Sequence, residues 1–234
     1  MRADNVAYKY KGSKRMLFEE VSFQLNPNII NVLVGQNGAG KKTLFDYISG
    51  IISPLSGTLK FPETAQILYL TQSIFYSNDI TAKDFVKFIR RISGVMVSND
   101  PFDYLSSHNA RNKELINRLW NLKIGKMSIG ERKWLFVNAL TQVEHSLYLL
   151  DEPTSGVDPV SRKQIYRSIQ GLVEQKKTVV VSTHQLNELI NVDCHMILLH
   201  KGRIAFEGDI HTWMKQYNTT DPNQAFELAT ESVS

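Results

Sequence analysis

Three short apolar runs constrain the fold of this chain more than any other feature. They are Ile29–Val34, Leu147–Leu150 and Thr178–Val181, and apolar residues dominate each of them. Short runs that do not alternate with polar residues are typical of strands covered on both faces. Helical patterns lie between the runs, so we predict an α/β fold with a mainly parallel sheet. Each run ends in residues capable of chemistry, and in such sheets ligands bind beyond the carboxyl ends of the strands.

The segments on either side of these runs have different patterns. Asn5–Tyr10 and Met16–Leu25 alternate apolar and polar residues around a turn-rich break, which predicts an N-terminal antiparallel β-hairpin. Met196–His200 and Arg203–Phe206 flank Lys-Gly and indicate a second, late hairpin. Near the end of the chain, Gln224–Ala229 is predicted to form a short helix.

Between the first and second apolar runs, the stretch Ile80–Leu122 lacks strand patterns and has apolar residues at helical spacing. The predicted apolar stripe consists of Phe85, Phe88, Ile89 and Ile92. We interpret this stretch as a helical lobe, spanning about residues 78–140, inserted in the α/β body. The body itself is expected to cover residues 1–217, and residues 218–234 are expected to form a short tail or helix.

Composition excludes several classes of protein. The chain has 234 residues, of which 42% are hydrophobic and 21% charged, as in ordinary globular proteins. The net charge of +4 includes no long basic run, so a nucleic-acid partner is not expected. Cys194 is the single cysteine, the first residues lack the apolar core of a secretion signal, and no apolar run is long enough to span a bilayer. We therefore expect a cytoplasmic protein.

A glycine-rich loop follows the first buried run. Gly35–Lys41 has the pattern Gly-x-x-x-x-Gly-Lys, and a helical pattern, Thr43–Ser49, comes after it. In such a loop the glycines allow successive backbone N–H groups to face one anion, and the lysine adds a mobile cation for phosphate. The alternative is a plain strand-to-helix turn, but the flanking strand and helix patterns favour a phosphate-binding loop.

Two adjacent carboxylates, Asp151 and Glu152, follow the second buried run. A carboxylate at a strand end can hold magnesium, and its neighbour can polarise a water for attack on a phosphate. The alternative, an acidic helix start before Pro153, would be favoured only if the phosphate loop were absent. The pair therefore indicates nucleotide hydrolysis.

Taken in order, these motifs resemble the ATP-binding cassette (ABC) ATPases, and among them the nucleotide-binding subunits of ABC transporters. The resemblance covers nearly the whole chain. It includes the phosphate loop Gly35–Thr43, Tyr-Leu-Thr-Gln72 at the family's Q-loop, Met127–Glu131 at its signature, Asp151–Asp158 at Walker B and the D-loop, and His184 at the switch histidine. It implies a P-loop NTPase fold with a RecA-like core.

The resemblance also implies ATP and Mg²⁺ as cofactors and a role for each matching residue. Glu152 is implied as the base, His184 as a ligand of the γ phosphate, Gln72 as a contact of the metal or attacking water, and Asp151 as a metal ligand. The implied nucleotide-binding residues are Tyr10, Gly35, Gln36, Asn37, Gly38, Ala39, Gly40, Lys41, Lys42, Thr43, Ser128, Gly130 and Asp158. Tyr10 would stack on adenine; the alternative is a surface strand tyrosine. Two chains would close head to tail, so that Ser128 and Gly130 face the partner's ATP.

Two motifs, the phosphate loop and the signature, depart from the family pattern. Where the family has a serine or threonine that binds magnesium, this chain has Lys42, followed by Thr43. An ammonium about 4 Å from a divalent cation would cost about 8 kcal/mol at an effective dielectric of 20, so Lys42 either turns to solvent or partly replaces the metal. Both alternatives predict slow hydrolysis or an unusual magnesium requirement, unless Thr43 or a water takes over as ligand. In the signature, Ile129 and Glu131 replace glycine and glutamine, and we expect Glu131 to face outward.

The resemblance implies an ATPase subunit that powers a separate transmembrane permease at the inner face of the cell membrane. The signature and the C-terminal segment resemble those of bacterial drug or peptide exporters. The second ATPase subunit is expected to be an identical chain, and the permease to dock near Gln72 and Ile74–Tyr76, unless the latter form the core of the lobe. The alternatives are a regulatory subunit whose hydrolysis is impaired by Lys42, and a soluble ABC ATPase of DNA repair or translation.

Overall fold

The structure, a computed structural model, describes residues 1–74, 76–94, 96–98, 100–104 and 110–231. Its strands are β1 (Arg2–Tyr8), β2 (Phe18–Gln24), β3 (Ile30–Val34), β4 (Ser56–Lys60), β5 (Ile67–Leu70), β6 (Leu147–Asp151), β7 (Thr178–Thr183), β8 (Cys194–His200) and β9 (Arg203–Gly208). Its helices are α1 (Lys41–Ile48), α2 (Ala82–Ile92), α3 (Ala110–Leu119), α4 (Ile129–Leu140), α5 (Pro159–Glu174), α6 (Ile210–Gln216) and α7 (Pro222–Glu231).

The larger sheet has the strand order β5-β6-β7-β3-β8-β9, and its strands are parallel except for β9. Every residue of β3, β6 and β7 is buried, as their apolar runs predict. The predicted α/β fold with a mainly parallel sheet is therefore confirmed. The order also places the carboxyl ends of β3, β5, β6 and β7 along one edge of the sheet.

The smaller sheet is antiparallel and has the order β2-β1-β4. The predicted N-terminal hairpin is confirmed, although β1 ends at Tyr8, so that Tyr10 lies in the connection between β1 and β2 and not in a strand. Two strands, β4 and β5, were not predicted from the sequence. The residues of β4 are almost all exposed, and β5 has only four residues, so neither gives a clear apolar pattern.

Between β5 and β6 the described residues form helices, as predicted. The buried face of α2 differs from the predicted stripe, because Phe85 and Ile89 are buried whereas Phe88 and Ile92 are 58% and 66% exposed. The buried face instead includes Val86, next to Phe85, and Phe85 packs on Phe136 of α4 with ring centroids 4.9 Å apart. The buried face, which also includes Ala82, is therefore rotated about the helix axis relative to the predicted stripe.

Two clusters of buried side chains form the core. The larger one joins the parallel sheet to α2–α7, and the smaller one fills the space between the two sheets around α1. In α1, Leu44, Phe45 and Tyr47 are almost fully buried. The helix that follows the glycine-rich loop is therefore packed between both sheets.

The late hairpin β8–β9 and the C-terminal helix α7 are also present where predicted. Among the described residues, the structure contains no helix with both the length and the apolar character needed to cross a membrane.

Candidate functional site

The glycine-rich loop connects β3 to α1 and contains Gly35, Gln36, Asn37, Gly38, Ala39 and Gly40. Gly40 is the N-terminal cap of α1 and has φ +104°. A Cβ at this position would lie 2.7 Å from the ring of Phe18, so both the backbone conformation and the packing require glycine. The loop therefore leads directly into a helix N-terminus, the arrangement that suits an anion.

The side chain of Lys41 folds back over this loop. Its Nζ donates to the carbonyl oxygens of Gly35, at 2.7 Å, and Gln36, at 3.2 Å, and it lies 3.9 Å from a carboxylate oxygen of Glu152. Burial lowers the pKa of Lys41, while the charges of Glu152 and Asp151 counteract that effect. The cation is thus held between the loop and the carboxylates that follow β6.

Lys42 points away from the loop. Its Nζ forms an ion pair with Asp46 at 3.0 Å, one helical turn later, and its side chain is 68% exposed. Of the two predicted orientations, the structure has the one directed to solvent.

The next side chain, Thr43, is buried, and its hydroxyl is hydrogen-bonded to the hydroxyl of Tyr10. Tyr10 therefore lies beside the glycine-rich loop, although half of it is exposed.

Glu152 lies at the centre of a hydrogen-bonded group formed by three strand ends. One carboxylate oxygen accepts a hydrogen bond from Gln72 Nε2 at 2.9 Å, and the other lies 2.8 Å from His184 Nδ1. Gln72 follows β5 and His184 follows β7. The structure thus brings together Gln72, Lys41, Glu152 and His184, which lie far apart along the chain.

Asp151 and Glu152 share a partner, Ser182, that the sequence reasoning missed. The Ser182 hydroxyl donates to the Asp151 carboxylate and accepts a hydrogen bond from the Glu152 N–H at 3.0 Å. Burial raises the pKa of Asp151, and the hydrogen bond from Ser182 opposes that shift. Ser182 lies next to Thr183 and His184 at the end of the buried strand β7, and this position is the sequence signal that could have indicated its role.

Ser128, Gly130 and Asp158 lie together in a second place. They line a pocket of about 390 Å³, whereas Gln72 and Glu152 line a different pocket of about 240 Å³. Ser128 caps α4 and Asp158 caps α5, each through its side-chain oxygen. Two helix N-termini therefore open into this second pocket.

The expectation that Glu131 faces outward was wrong. Its carboxylate turns back to accept a hydrogen bond from the Ser128 N–H at 2.8 Å, and it forms an ion pair with Arg118. This arrangement is a capping box, in which the third residue of the helix satisfies the backbone of the cap. The Glu131 carboxylate thus has one partner at the start of its own helix, the Ser128 N–H, and a second partner in Arg118.

Ile74 and Tyr76 belong to the segment predicted either to dock the permease or to form the core of the lobe, and both pack against the larger core cluster. Tyr76 contacts Phe136 with ring centroids 5.3 Å apart. Phe75, which the prediction also included, lies outside the described residues. The packing favours a core role for Ile74 and Tyr76.

The grouped side chains suggest one chemistry. A buried lysine, a loop of backbone N–H groups, a carboxylate, an imidazole and an amide surround one place at the carboxyl edge of the sheet. Such a set can bind phosphate and orient a water for attack on it. Among the described residues, no group of three or more His, Cys, Asp or Glu side chains is arranged to hold a metal by itself.

The family model described as ABC transporter matches residues 18–155, which include the glycine-rich loop, Gln72, Ser128 and Glu152. The chain belongs to the ABC transporter family. It is an ATP-binding subunit of an ABC transporter, and membership of this ATPase family implies ATP hydrolysis. Asp158 and His184 lie beyond the matched range.

Individual relatives agree with this assignment. The ABC transporter ATP-binding protein YxlF of Bacillus subtilis is 28% identical over 212 residues, covering 86% of this chain and 68% of YxlF. The molybdate import ATP-binding protein MolC of Haemophilus influenzae is 27% identical over 223 residues, covering 94% and 86% of the two chains. A solved ATP-binding subunit of an ABC transporter has the same fold, with a TM-score of 0.80, 19% identity and 98% of each chain covered.

Proposed function

We propose that this ABC subunit binds and hydrolyses ATP between two identical copies and thereby powers a separate transmembrane permease. The observation that carries the proposal is the convergence of Lys41, Gln72 and His184 on Glu152. Glu152 would act as the base towards the attacking water, His184 would bind the γ phosphate, and Gln72 would contact the metal or the water. The loop Gly35–Thr43 would hold the phosphates, and Tyr10 would stack on adenine.

The second copy completes the site in this proposal. Ser128 and Gly130 open a helix N-terminus into a pocket separate from that of Glu152, as expected if they serve the nucleotide bound by the other copy. Asp158 lines the same pocket and would lie at the contact between the copies. One chain thus supplies one half of each of two sites.

Mg²⁺ fits the donor set at the strand ends. Asp151 offers a carboxylate and Gln72 an amide oxygen, and magnesium commonly combines one or two such ligands with phosphate oxygens and water. The hydroxyl that the family places at position 42 is absent, and the Lys42 ammonium is engaged with Asp46. We therefore propose that ATP binds through the loop and Lys41, but that hydrolysis is slow or requires more magnesium.

Lys42 also supports a second candidate function, that of a regulatory subunit that binds ATP without hydrolysing it. Such a subunit would dimerise or activate its partner on nucleotide binding alone. A saturable ATP affinity together with no turnover at any magnesium concentration would favour this function over the first.

Export is the direction we propose, on the resemblance of the signature and the C-terminal segment to those of bacterial exporters. MolC is named for import, so import is the competing outcome. The subunit would lie in the cytoplasm against the inner face of the membrane, attached through its permease. Co-purification from membranes, identification of the associated subunit, and uptake into inverted vesicles test partner and direction together.

Nucleotide titration tests the core of the proposal. Labelled ATP should bind saturably, Lys41→Ala should weaken binding at least about tenfold, and Lys215→Ala on α6 should leave it unchanged. Glu152→Gln should keep ATP binding, abolish turnover and elute as a dimer in ATP on size-exclusion chromatography. Absence of saturable ATP binding, both in the natural chain and in Lys42→Ser, would overturn the proposal.

A further inference from the structure

Lys133 forms a contact that the proposed mechanism does not use. It lies on α4, about one turn and a half after Ser128, and its Nζ donates to the main-chain carbonyl oxygen of Glu152 at 2.7 Å. Its side chain is partly buried, which lowers the pKa of Lys133, while the charges of Glu152 and Asp151 counteract that effect. The ammonium is thus turned toward the end of β6.

The carbonyl that Lys133 contacts belongs to a strained residue. Glu152 has φ +47°, in the left-handed region that residues with a Cβ seldom adopt and that persists only where the surroundings impose it. Its N–H donates to the Ser182 hydroxyl, and its carbonyl also accepts a hydrogen bond from the Ser155 N–H at 3.2 Å. The peptide groups on both sides of the Glu152 Cα are therefore held in place.

The main-chain conformation of Glu152 decides where its carboxylate points. With the backbone in this conformation, the carboxylate reaches both Gln72 and His184, which approach from different strands. Relaxation of the backbone toward ordinary φ values would turn the side chain away from both partners. A group that holds the carbonyl therefore also determines the orientation of the carboxylate.

We propose that Lys133 is a positioning residue that fixes the main chain of Glu152 and links it to helix α4. Because Ser128 caps α4, this link connects the segment proposed to face the partner's nucleotide to the carboxylate of the chain's own site. The proposal rests on the proposed function for its effect on turnover. The positioning itself is a property of the nucleotide-free chain.

Hydrogen–deuterium exchange of the full-length chain without nucleotide tests the positioning directly. Lys133→Met keeps the length and apolar stem of the side chain but removes the donor, so exchange in residues 152–158 should become about tenfold faster. Lys133→Arg keeps a charged donor and should remain within about threefold of the natural chain. Lys177→Met removes another partly buried lysine, which pairs with Glu144, and should leave residues 152–158 unchanged.

Steady-state kinetics test the consequence. Lys133→Met should lower kcat about tenfold and leave the Kd for ATP within about twofold, with restoration in Lys133→Arg. Unchanged exchange and kcat in Lys133→Met, or an arginine variant as impaired as the methionine variant, would overturn the inference. If Lys133→Met does not fold, Lys133→Gln, which is too short to reach the carbonyl, replaces it with the same expectations.

The two proposals fail in different ways. A natural chain that binds no ATP, or binds it without turnover, contradicts the proposed hydrolysis but leaves the exchange measurement decisive for Lys133. Normal turnover combined with unchanged exchange in Lys133→Met contradicts only the positioning role.

Discussion

Lys42 is the residue that we interpret as the main departure from the family pattern. The resemblance implies that it stands where the family has a hydroxyl that binds magnesium, and in the structure its exposed side chain forms an i,i+4 ion pair with Asp46. An exposed pair of this kind contributes little to stability, so replacement of Lys42 is not expected to disturb the fold. The consequence of this residue should therefore be visible in the chemistry.

We predict that Lys42→Ser increases the steady-state ATPase rate about tenfold at limiting magnesium, because it restores an oxygen ligand and removes a nearby positive charge. The Kd for ATP should change less than about twofold, since the loop amides and Lys41 are untouched. The measurement is phosphate release across a magnesium titration, with Lys215→Ser as the control. Identical ATPase rates and magnesium dependence in the natural chain and in Lys42→Ser would contradict the hypothesis that Lys42 slows hydrolysis.

Cys194 offers a second test at the level of a single residue. It begins β8, is 5% exposed, and burial raises the pKa of its thiol to about 12. Because the thiolate is the reactive form, the folded chain at pH 8 should react with a disulfide reagent at least about a hundredfold more slowly than the chain unfolded in guanidinium chloride. Reactivity should increase as the pH approaches the raised pKa. Equal rates in the folded and unfolded chains would contradict the burial of this thiol.

At the scale of elements, a buried carboxylate joins segments that surround the candidate site. Glu188 lies four residues after His184, and its side chain is 2% exposed. It accepts a hydrogen bond from the Thr154 hydroxyl at 2.8 Å and forms an ion pair with Arg162 of α5 at 3.1 Å. Arg162 in turn donates to the carbonyl of Val157. Glu188 thus connects the segments after β6 and β7 to α5 through a hydrogen bond and an ion pair.

We predict that Glu188→Ala lowers the free energy of unfolding by about 3 kcal/mol, because it leaves Arg162 and Thr154 without their buried partner. Urea denaturation followed by circular dichroism measures this change. Glu144→Ala is the matched control, since its ion pair with Lys177 lies on the surface and its side chain is 87% exposed. A loss no larger than that of the control would show that Glu188 does not join these segments.

The elements also show which patterns are informative. The strands β3, β6 and β7 are buried on both faces, so their apolar sequences are sufficient to predict them. The stripe predicted for α2 included Phe88 and Ile92, which are exposed, whereas the buried face is rotated toward Ala82 and Val86, because apolar periodicity alone does not say which side of a helix its neighbours cover. How much of a helix is covered depends on the neighbours that pack against it.

At the scale of the whole molecule, the two sheets meet where the turn after β8 touches the start of β2. Gly202 has φ +75°, and a Cβ there would lie 2.2 Å from the Leu17 carbonyl oxygen. Arg203 and Glu19 form an ion pair at the same junction. The glycine allows the close approach of the two sheets at this junction.

We predict that Gly202→Ala destabilises the chain by about 3 kcal/mol, because the added methyl group forces the sheets apart at a left-handed position. Gly12→Ala is the matched control. Gly12 also has positive φ, at +84°, but nothing lies within 4 Å of its Cβ position, so only the backbone cost of about 1 kcal/mol is expected. Thermal unfolding of both variants measures the difference. Equal losses would mean that the junction is not tightly packed.

The sequence by itself determined the buried strands, the glycine-rich loop with Lys41, and the carboxylates after β6, because each depends on residues adjacent in the chain. The resemblance read from the sequence implied one site for Lys41, Gln72, Glu152 and His184. Only the tertiary structure decided the contacts through which these residues meet at Glu152, that Lys42 turns to Asp46, and that Ser182 and Lys133 hold the same main chain. The physical reason is strand order. Residues separated by 80 positions become neighbours when β5 lies beside β6, and no local pattern of apolar and polar residues encodes which strands are adjacent.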